Sequence, residues 1–136
     1  MTDKADKNDK LNILLVDDDK FLVGMYSMKF TAKGYGVHAC LSADDALQTL
    51  RDGFKPDVII FDLVMPEHDG FYFLKSRAEE NLGKGAILIA LTNESDDATK
   101  TKLTGLGADR IIVKASMIPS EVVGAVEEEI KKKKER

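Results

Sequence analysis

The strongest constraint on the fold is the alternation of short apolar runs with segments of helical spacing. The runs are bounded by polar residues or glycine, as is typical of strands in a buried parallel sheet. The predicted strands are 11–16, 35–40, 58–61, 86–91 and 110–113, and the predicted helices are 21–30, 42–53, 70–81, 96–106 and 119–130. Short connections between alternating elements predict an α/β fold: a doubly wound, five-stranded parallel sheet with helices on both faces.

The length of the chain allows one ordinary domain. Its 136 residues are enough for a single core, and contents of 43% hydrophobic and 32% charged residues are those of a globular domain. We expect a disordered polar tail at 1–10, the domain itself at 11–130 and a basic C-terminal tail at 131–136. The basic run is more typical of a solvated helix end than of a nucleic-acid or membrane patch.

The charge and the cysteine content restrict the kinds of partner and the cellular compartment that we expect for this protein. The net charge is −4, and residues 131–136 contribute five positive charges and one negative, so the rest of the chain carries −8. An acidic body argues against nucleic acid as a direct ligand. No apolar run has the length of a membrane span, and the N-terminus has no apolar signal core. Cys40 is alone and fits a reducing cytoplasm, so we expect a cytoplasmic protein without a membrane partner.

Four of the five predicted strands end in residues with functional groups: Asp17-Asp18, Asp62, Thr92 and Lys114. The carboxyl ends of parallel strands meet at one edge of the sheet, where such sheets bind ligands. Each residue also has a simple structural explanation, such as helix capping for Asp18 or surface exposure for Lys114. The combination of an acidic cluster, a hydroxyl and a lysine on one edge nevertheless indicates a functional site.

These residue types restrict the chemistry of the site. Two carboxylates ~4 Å apart repel by roughly 1 to 4 kcal/mol, so clustered acids either share protons or hold a cation. Oxygen ligands with room for water suit Mg²⁺, and no histidine stands at a strand end to favour zinc. A carboxylate can accept a phosphoryl group, while a lysine and a hydroxyl can bind the remaining phosphoryl oxygens. The set therefore predicts magnesium-dependent phosphoryl transfer.

Four motifs resemble those of two-component response-regulator receiver domains, namely LLVDDD at 14–19, DVIIFDLVMPEHDG at 57–70, LIALTNESD at 88–96 and GADRIIVK at 107–114. They follow the family's order and spacing, and the match runs from about residue 12 to residue 130. The resemblance implies a flavodoxin-like (βα)5 fold of strand order 2-1-3-4-5. It also implies a phospho-acceptor domain that promotes its own phosphorylation and dephosphorylation, rather than an enzyme in the ordinary sense.

The resemblance further implies a role for each strand-end residue. Asp62 would accept a phosphoryl group from a phosphohistidine on a sensor histidine kinase or phosphotransfer protein. Thr92 would bond a phosphoryl oxygen, and Lys114 would pair first with Asp62 and then with the phosphate. Mg²⁺ would be bound by oxygen ligands: Asp17 (largely through water), Asp18, Asp62 and the backbone carbonyl of Val64. A downstream effector protein or output domain would then bind the surface of helix 4, strand 5 and helix 5, with the domain a monomer or a weak dimer on activation.

The sequence departs from the family pattern at three positions near the site. Ile111 replaces the usual aromatic residue three positions before the lysine, and Ala115 replaces the usual proline after it. Asn93 replaces a small residue after Thr92 and is expected to crowd the mouth of the site. A cis bond without proline costs ~3 kcal/mol or more, so Ala115 predicts either a trans bond or real strain.

Two other functions are compatible with parts of this pattern. A degenerate receiver would act as a constitutive protein-binding module, which Ile111 favours and the complete acidic, hydroxyl and lysine set disfavours. A magnesium-dependent phosphohydrolase would also use an aspartyl nucleophile. Such enzymes usually carry a second acid two residues beyond the nucleophile, where this chain has Val64.

Overall fold

The computed structural model describes residues 11–93 and 96–135, so the predicted disordered tail at 1–10 lies outside the described residues. The described chain forms five strands: β1 (Asn12–Val16), β2 (Gly36–Cys40), β3 (Val58–Asp62), β4 (Ile87–Thr92) and β5 (Arg110–Val113). Its α-helices are α1 (Lys20–Ala32), α2 (Ala43–Arg51), α3 (Gly70–Glu79), α4 (Asp97–Gly105) and α5 (Pro119–Lys134), with a 3-10 turn at Lys114–Ser116. Apart from α5, every element ends within two residues of its predicted boundary.

The strands form one parallel sheet in the order β2-β1-β3-β4-β5, which confirms the predicted fold. The pairing register aligns Val16 with Phe61, and Asp62 with Leu91. Thr92 in turn aligns with Val113, the residue before Lys114. The ends of β1, β3, β4 and β5 are therefore level, and the residues that follow them meet at one edge of the sheet.

Alternate strand residues face two different helical layers. Residues such as Val58 and Ile60 pack against α1 and α5, while Ile59 and Phe61 pack against α2, α3 and α4. Every residue of β3 is buried, as expected of a central strand covered on both faces. The alternation also decides which layer each polar residue at the end of a strand faces.

The buried face of α1 differs from the helical spacing of apolar residues in its sequence, which is formed by Phe21, Leu22, Met25, Met28 and Phe30. Val23, Tyr26 and Phe30 are buried, whereas Phe21 and Met28 are 78% and 73% exposed. Apolar residues surround much of this helix, so their spacing is helical on more than one face. Only packing on the sheet selects the inner face, and it leaves an exposed apolar stripe on the outer one.

The other helices carry local signals that agree with their predicted ends. Ser42 is of a residue type preferred at helix N-caps, and its hydroxyl caps α2 by accepting a hydrogen bond from the Asp45 amide at 3.0 Å. Helix α4 has few apolar residues in its sequence and is thinly packed: Leu103 is its only fully buried residue, and Ala98 is exposed. Helix α5 continues beyond the predicted boundary at residue 130 and includes four lysines in its last turn. Their positive charges interact favourably with the negative end of the helix dipole. No helix in the described part of the chain combines the length and the apolar character of a membrane span.

Candidate functional site

Two buried carboxylates lie side by side where neighbouring strands end. Asp17 follows β1 and is 2% exposed, and Asp62 ends β3 and is 5% exposed. Asp18 is exposed beside them. One carboxylate oxygen from each of the three acids lies within 4.8 Å of the others. The structure therefore gathers the acidic cluster that the sequence predicts.

Hydrogen bonds of Asp17 and Asp19 set the geometry of the connection between β1 and α1. The Asp17 amide donates to the carbonyl of Cys40 at 3.1 Å, which extends the β1–β2 pairing by one residue. The Asp17 carboxylate accepts the Asp19 amide at 3.0 Å. Asp19 is the N-cap of α1 and accepts the amides of Phe21 and Leu22. Of the three consecutive acids, one therefore faces the site, one is exposed at its rim, and one starts the helix.

Lys114 closes the site from the side of β5. Its Nζ lies 3.0 Å from Asp17 Oδ2 and 3.4 Å from Asp62 Oδ1, and its side chain is 15% exposed. The resemblance implies pairing with Asp62, but the closer contact is with Asp17. Burial alone would lower the pKa of the Lys114 ammonium, but the bonds to Asp17 and Asp62 outweigh it and raise that pKa. The lysine is therefore a fixed cation between the two acids.

The surroundings of Asp62 raise the pKa of its carboxyl. Burial is the main cause that raises the pKa of its carboxyl, and the neighbouring Asp17 charge raises it further. Lys114 and the Leu63 amide oppose these effects, and the resulting pKa is about 6 instead of 3.8. With a pKa of about 6, the Asp62 carboxyl is mostly ionised at neutral pH, and an ionised carboxylate has the chemistry of a nucleophile.

The β3–α3 loop holds the backbone around Asp62 in a close fit. A Cβ atom on Gly70 would lie 2.8 Å from the carbonyl oxygen of Asp62 and 2.9 Å from Leu63 Cα. The Gly70 amide donates to the Leu63 carbonyl at 2.8 Å, and Asp69 caps α3 by accepting the Tyr72 amide. An Asp-Gly pair after a strand predicts a turn from sequence, but this pattern does not reveal the contact of Gly70 with the site. Val64, between β3 and this turn, is 68% exposed.

Thr92 is 3% exposed at the end of β4, beside the β3 strand that carries Asp62. Asn93 is exposed, at the position where the sequence predicts crowding of the mouth. Ile111 is half-buried and packs against the cluster formed with α2, α3 and α4. The described chain contains no cis peptide bond, so the Lys114–Ala115 bond is trans. The predicted site residues thus meet at one edge of the sheet, and their roles stay predictions.

The donor set fits a hard divalent cation. Oxygen ligands of Mg²⁺ bind at about 2.0–2.1 Å, which places two ligands of one ion roughly 3–4 Å apart. The three carboxylate oxygens lie within 4.8 Å of one another, which is compatible with ligation of one ion. Carboxylates, a backbone carbonyl and water suit Mg²⁺ better than zinc.

Comparison with a family model identifies the family of this chain. The model of the response regulator receiver domain matches residues 13–127. The chain is 30% identical over 104 residues to the transcriptional regulatory protein DltR of Streptococcus agalactiae, covering 76% of this chain and 45% of DltR. It is 31% identical over 104 residues to the transcriptional regulatory protein AfsQ1 of Streptomyces coelicolor, covering 76% of this chain and 44% of AfsQ1. The chain thus spans less than half the length of these relatives.

Solved structures show the same fold. The chemotaxis protein CheY4 of Vibrio cholerae superposes with a TM-score of 0.80 at 27% identity, covering 87% of this chain and 97% of CheY4. A CheY-like receiver domain protein of Methanospirillum hungatei superposes with a TM-score of 0.80 at 22% identity, covering 92% of this chain and 97% of that one. The second match is a likeness of fold alone.

Proposed function

Because the chain belongs to the response regulator receiver domain family of two-component signalling, we propose that it is a phosphorylation-controlled switch whose phospho-acceptor is Asp62. The observation that carries this proposal is the placement of a buried carboxylate of raised pKa between an acidic partner and a lysine at the carboxyl edge of the sheet. The reaction class is phosphoryl transfer. Receiver domains are phospho-acceptor switches and not enzymes in the ordinary sense.

The transfer breaks one bond and forms another. An Asp62 carboxylate oxygen attacks the phosphorus of a phosphohistidine, the P–N bond to the donor imidazole breaks, and a P–O bond to Asp62 forms. The leaving imidazole takes up a proton. We assign the donor to a sensor histidine kinase or a phosphotransfer protein, as the family resemblance implies.

The residues around Asp62 would bind the metal ion and the transferred phosphoryl group. Mg²⁺ would be held by a set of oxygen ligands: Asp17, Asp18, Asp62 and the backbone carbonyl of Val64. When bound, the ion neutralises charge on the phosphoryl oxygens. Lys114 gives up its contact with Asp62 Oδ1 and pairs with the transferred group, while the Thr92 hydroxyl donates to a phosphoryl oxygen. The nearby charge of Asp17 makes neutralisation of the cluster a condition for transfer.

A small acyl phosphate with Mg²⁺ tests this function directly. We expect one phosphoryl group per chain, detected by intact-protein mass spectrometry and removed by hydroxylamine or base, as an acyl phosphate should be. No labelling at saturating donor would favour the constitutive binding module, which the absence of an aromatic side chain at Ile111 supports. Continuous release of inorganic phosphate without accumulation of a labelled chain would favour a phosphohydrolase instead.

The output passes to an effector protein or an output domain. The relatives DltR and AfsQ1 carry the name transcriptional regulatory protein, and each is more than twice as long as the segment it shares with this chain. We propose that the partner binds the surface of α4, β5 and α5, and that the domain is a monomer or a weak dimer on activation. Helix α4 supports this choice because one fully buried residue, Leu103, anchors it.

Activation is expected to alter α4 and the segment that follows Thr92. Phosphoryl oxygens bound by Thr92 and Lys114 draw the ends of β4 and β5 toward Asp62, and a weakly packed helix needs little free energy to follow. Ile111 has no ring or hydroxyl to move with Thr92, so we expect it to repack by rotamer at most. The measurement is amide hydrogen exchange with and without beryllofluoride and Mg²⁺.

The Asp62→Asn variant serves as the control for this exchange experiment and is expected to show no response. Helix α2, which buries Ala43, Ala46, Leu47 and Leu50, should be unaffected in both proteins. Changes restricted to α1 and α2, with α4 and its preceding segment unaffected, would contradict the proposed route of activation.

A further inference from the structure

A buried phenol lies next to the site without a hydrogen bond of its own. Tyr26 is 5% exposed, on the inner face of α1. Among the described residues, its hydroxyl is in no hydrogen bond. Tyr35, 7% exposed in the same core cluster, instead donates to Glu127 Oε2 at 3.0 Å. Buried polar groups are rarely left unbonded, so the Tyr26 hydroxyl is available to accept a hydrogen bond from a nearby donor.

The fold directs the charged residues of the site toward this phenol. In β1 and β5, Leu15 and Ile112 pack in the core cluster that contains Tyr26. Asp17 keeps the alternation of β1, because its amide still bonds the Cys40 carbonyl, and therefore lies on the same side of the sheet as Leu15. The Lys114 ammonium lies on that side too, because its Nζ is 3.0 Å from Asp17 Oδ2. Side chains of a helix lean toward its N-terminus, and the N-terminus of α1 follows Asp19 at the site. Tyr26 thus leans toward the edge where Lys114 and Asp17 lie.

The charges of the site reach the phenol. Burial is the main cause that raises the pKa of Tyr26, Lys114 lowers it, and Asp17 raises it further. These two residues are also the ones joined by the 3.0 Å ion pair. The hydroxyl is therefore within electrostatic range of the pair that must rearrange if a cation binds Asp17 and a phosphoryl group is added to Asp62.

We propose that Tyr26 is a positioning residue for phosphoryl transfer: its hydroxyl accepts a hydrogen bond from Lys114, directly or through one water, when the lysine turns from the acids to the phosphoryl group. The inference rests on the proposed function of Asp62. The ammonium has three donors, and in the described structure two acids take its contacts. A cation on Asp17 and a phosphoryl group on Asp62 remove or move both contacts. The phenol then supplies an acceptor inside the protein, which limits the orientations open to the lysine.

The test compares two identical substitutions in one core cluster. Tyr26→Phe removes the hydroxyl beside the site, and Tyr35→Phe removes the hydroxyl that bonds Glu127. We expect Tyr26→Phe to lower the maximal rate of labelling by a small acyl phosphate about three- to tenfold, the size expected for one lost hydrogen bond, with the half-saturating donor concentration unchanged. Tyr35→Phe should label like the wild type. Equal rates for Tyr26→Phe and wild type, or equal losses in both variants, would overturn the inference.

A spectroscopic measurement distinguishes a positioning role of the Tyr26 hydroxyl from a role in core packing. The chain has no tryptophan and three tyrosines, so its near-ultraviolet spectrum reports mainly on tyrosine. Beryllofluoride with Mg²⁺ should produce a tyrosine difference spectrum in the wild type and in Tyr35→Phe that is lost in Tyr26→Phe. A difference spectrum retained in Tyr26→Phe would contradict the proposal.

Two controls distinguish a failure of the Tyr26 inference from a failure of the function proposed for Asp62. If the wild type is not labelled at all, the function of Asp62 fails and the role of Tyr26 fails with it. If the wild type is labelled and Tyr26→Phe matches it, only the present inference fails. Should Tyr26→Phe not melt cooperatively, the wild type labelled with ¹³C at tyrosine Cζ replaces it, and an unchanged Tyr26 signal on phosphorylation would overturn the proposal.

Discussion

Replacement of Asp62 by asparagine is expected to abolish phosphoryl labelling of the chain by a small acyl phosphate. The amide has nearly the shape of the carboxylate, but it is not a competent nucleophile. Intact-protein mass spectrometry at saturating donor and Mg²⁺ measures the loss. Asp52→Asn is the matched control, because Asp52 is exposed after α2, at the opposite end of that helix from Ser42, and should label like the wild type. Equal labelling of Asp62→Asn would place the acceptor on another residue.

The same variant should be more stable than the wild type at neutral pH in the absence of metal. The folded-state pKa of Asp62 is about 6 and its usual value is 3.8, so the folded protein binds this proton more tightly than the unfolded chain. The free energy of unfolding therefore falls as pH rises from about 4 through 6, by up to roughly 3 kcal/mol. Asparagine removes this loss. Melting temperatures of the two proteins should be similar near pH 4 and higher for Asp62→Asn above pH 6, and the opposite order would contradict the electrostatic account of the site.

Loss of magnesium binding in Asp18→Ala is the second large effect that we expect. Mg²⁺ that binds the folded protein alone stabilises it by mass action, by about 1.4 kcal/mol when its concentration is ten times the dissociation constant. Asp18 is exposed, so its removal should leave the core intact while deleting one of three clustered carboxylates. The rise in melting temperature with millimolar Mg²⁺ should be clear in the wild type and mostly absent in Asp18→Ala.

The control for this experiment is Asp52→Ala, which removes an exposed acid that is not part of the cluster. It should keep the full response to Mg²⁺, because the response comes from the clustered ligands and not from total negative charge. A melting temperature of the wild type that does not respond to Mg²⁺, or an equal response in Asp18→Ala, would count against a metal site at these residues.

Local sequence patterns were sufficient for the strands, the helices and the parallel sheet, whereas the strand order came from the family resemblance. The apolar runs of β3 and β4 marked buried strands, and Ser42 marked the start of α2, because these features depend on neighbours along the chain. Parallel pairing then required the residues after the strands to share an edge, whatever the details of packing. Asp62, Asp17 and Lys114 could be grouped on that basis without coordinates.

Contacts between distant segments were decided only by the tertiary structure. The ion pair of Lys114 with Asp17 joins residues that are 97 positions apart in the sequence. The Lys114 ammonium lies closer to Asp17 than to Asp62, and this difference depends on where the 3-10 turn after β5 places the lysine. The sequence likewise did not determine which face of α1 is buried, because apolar residues occur on more than one of its faces. Packing on the sheet buried Tyr26 and exposed Phe21. Periodicity specifies that a helix has an apolar face, and only burial against the other elements decides which face it is and which polar group it carries toward the site.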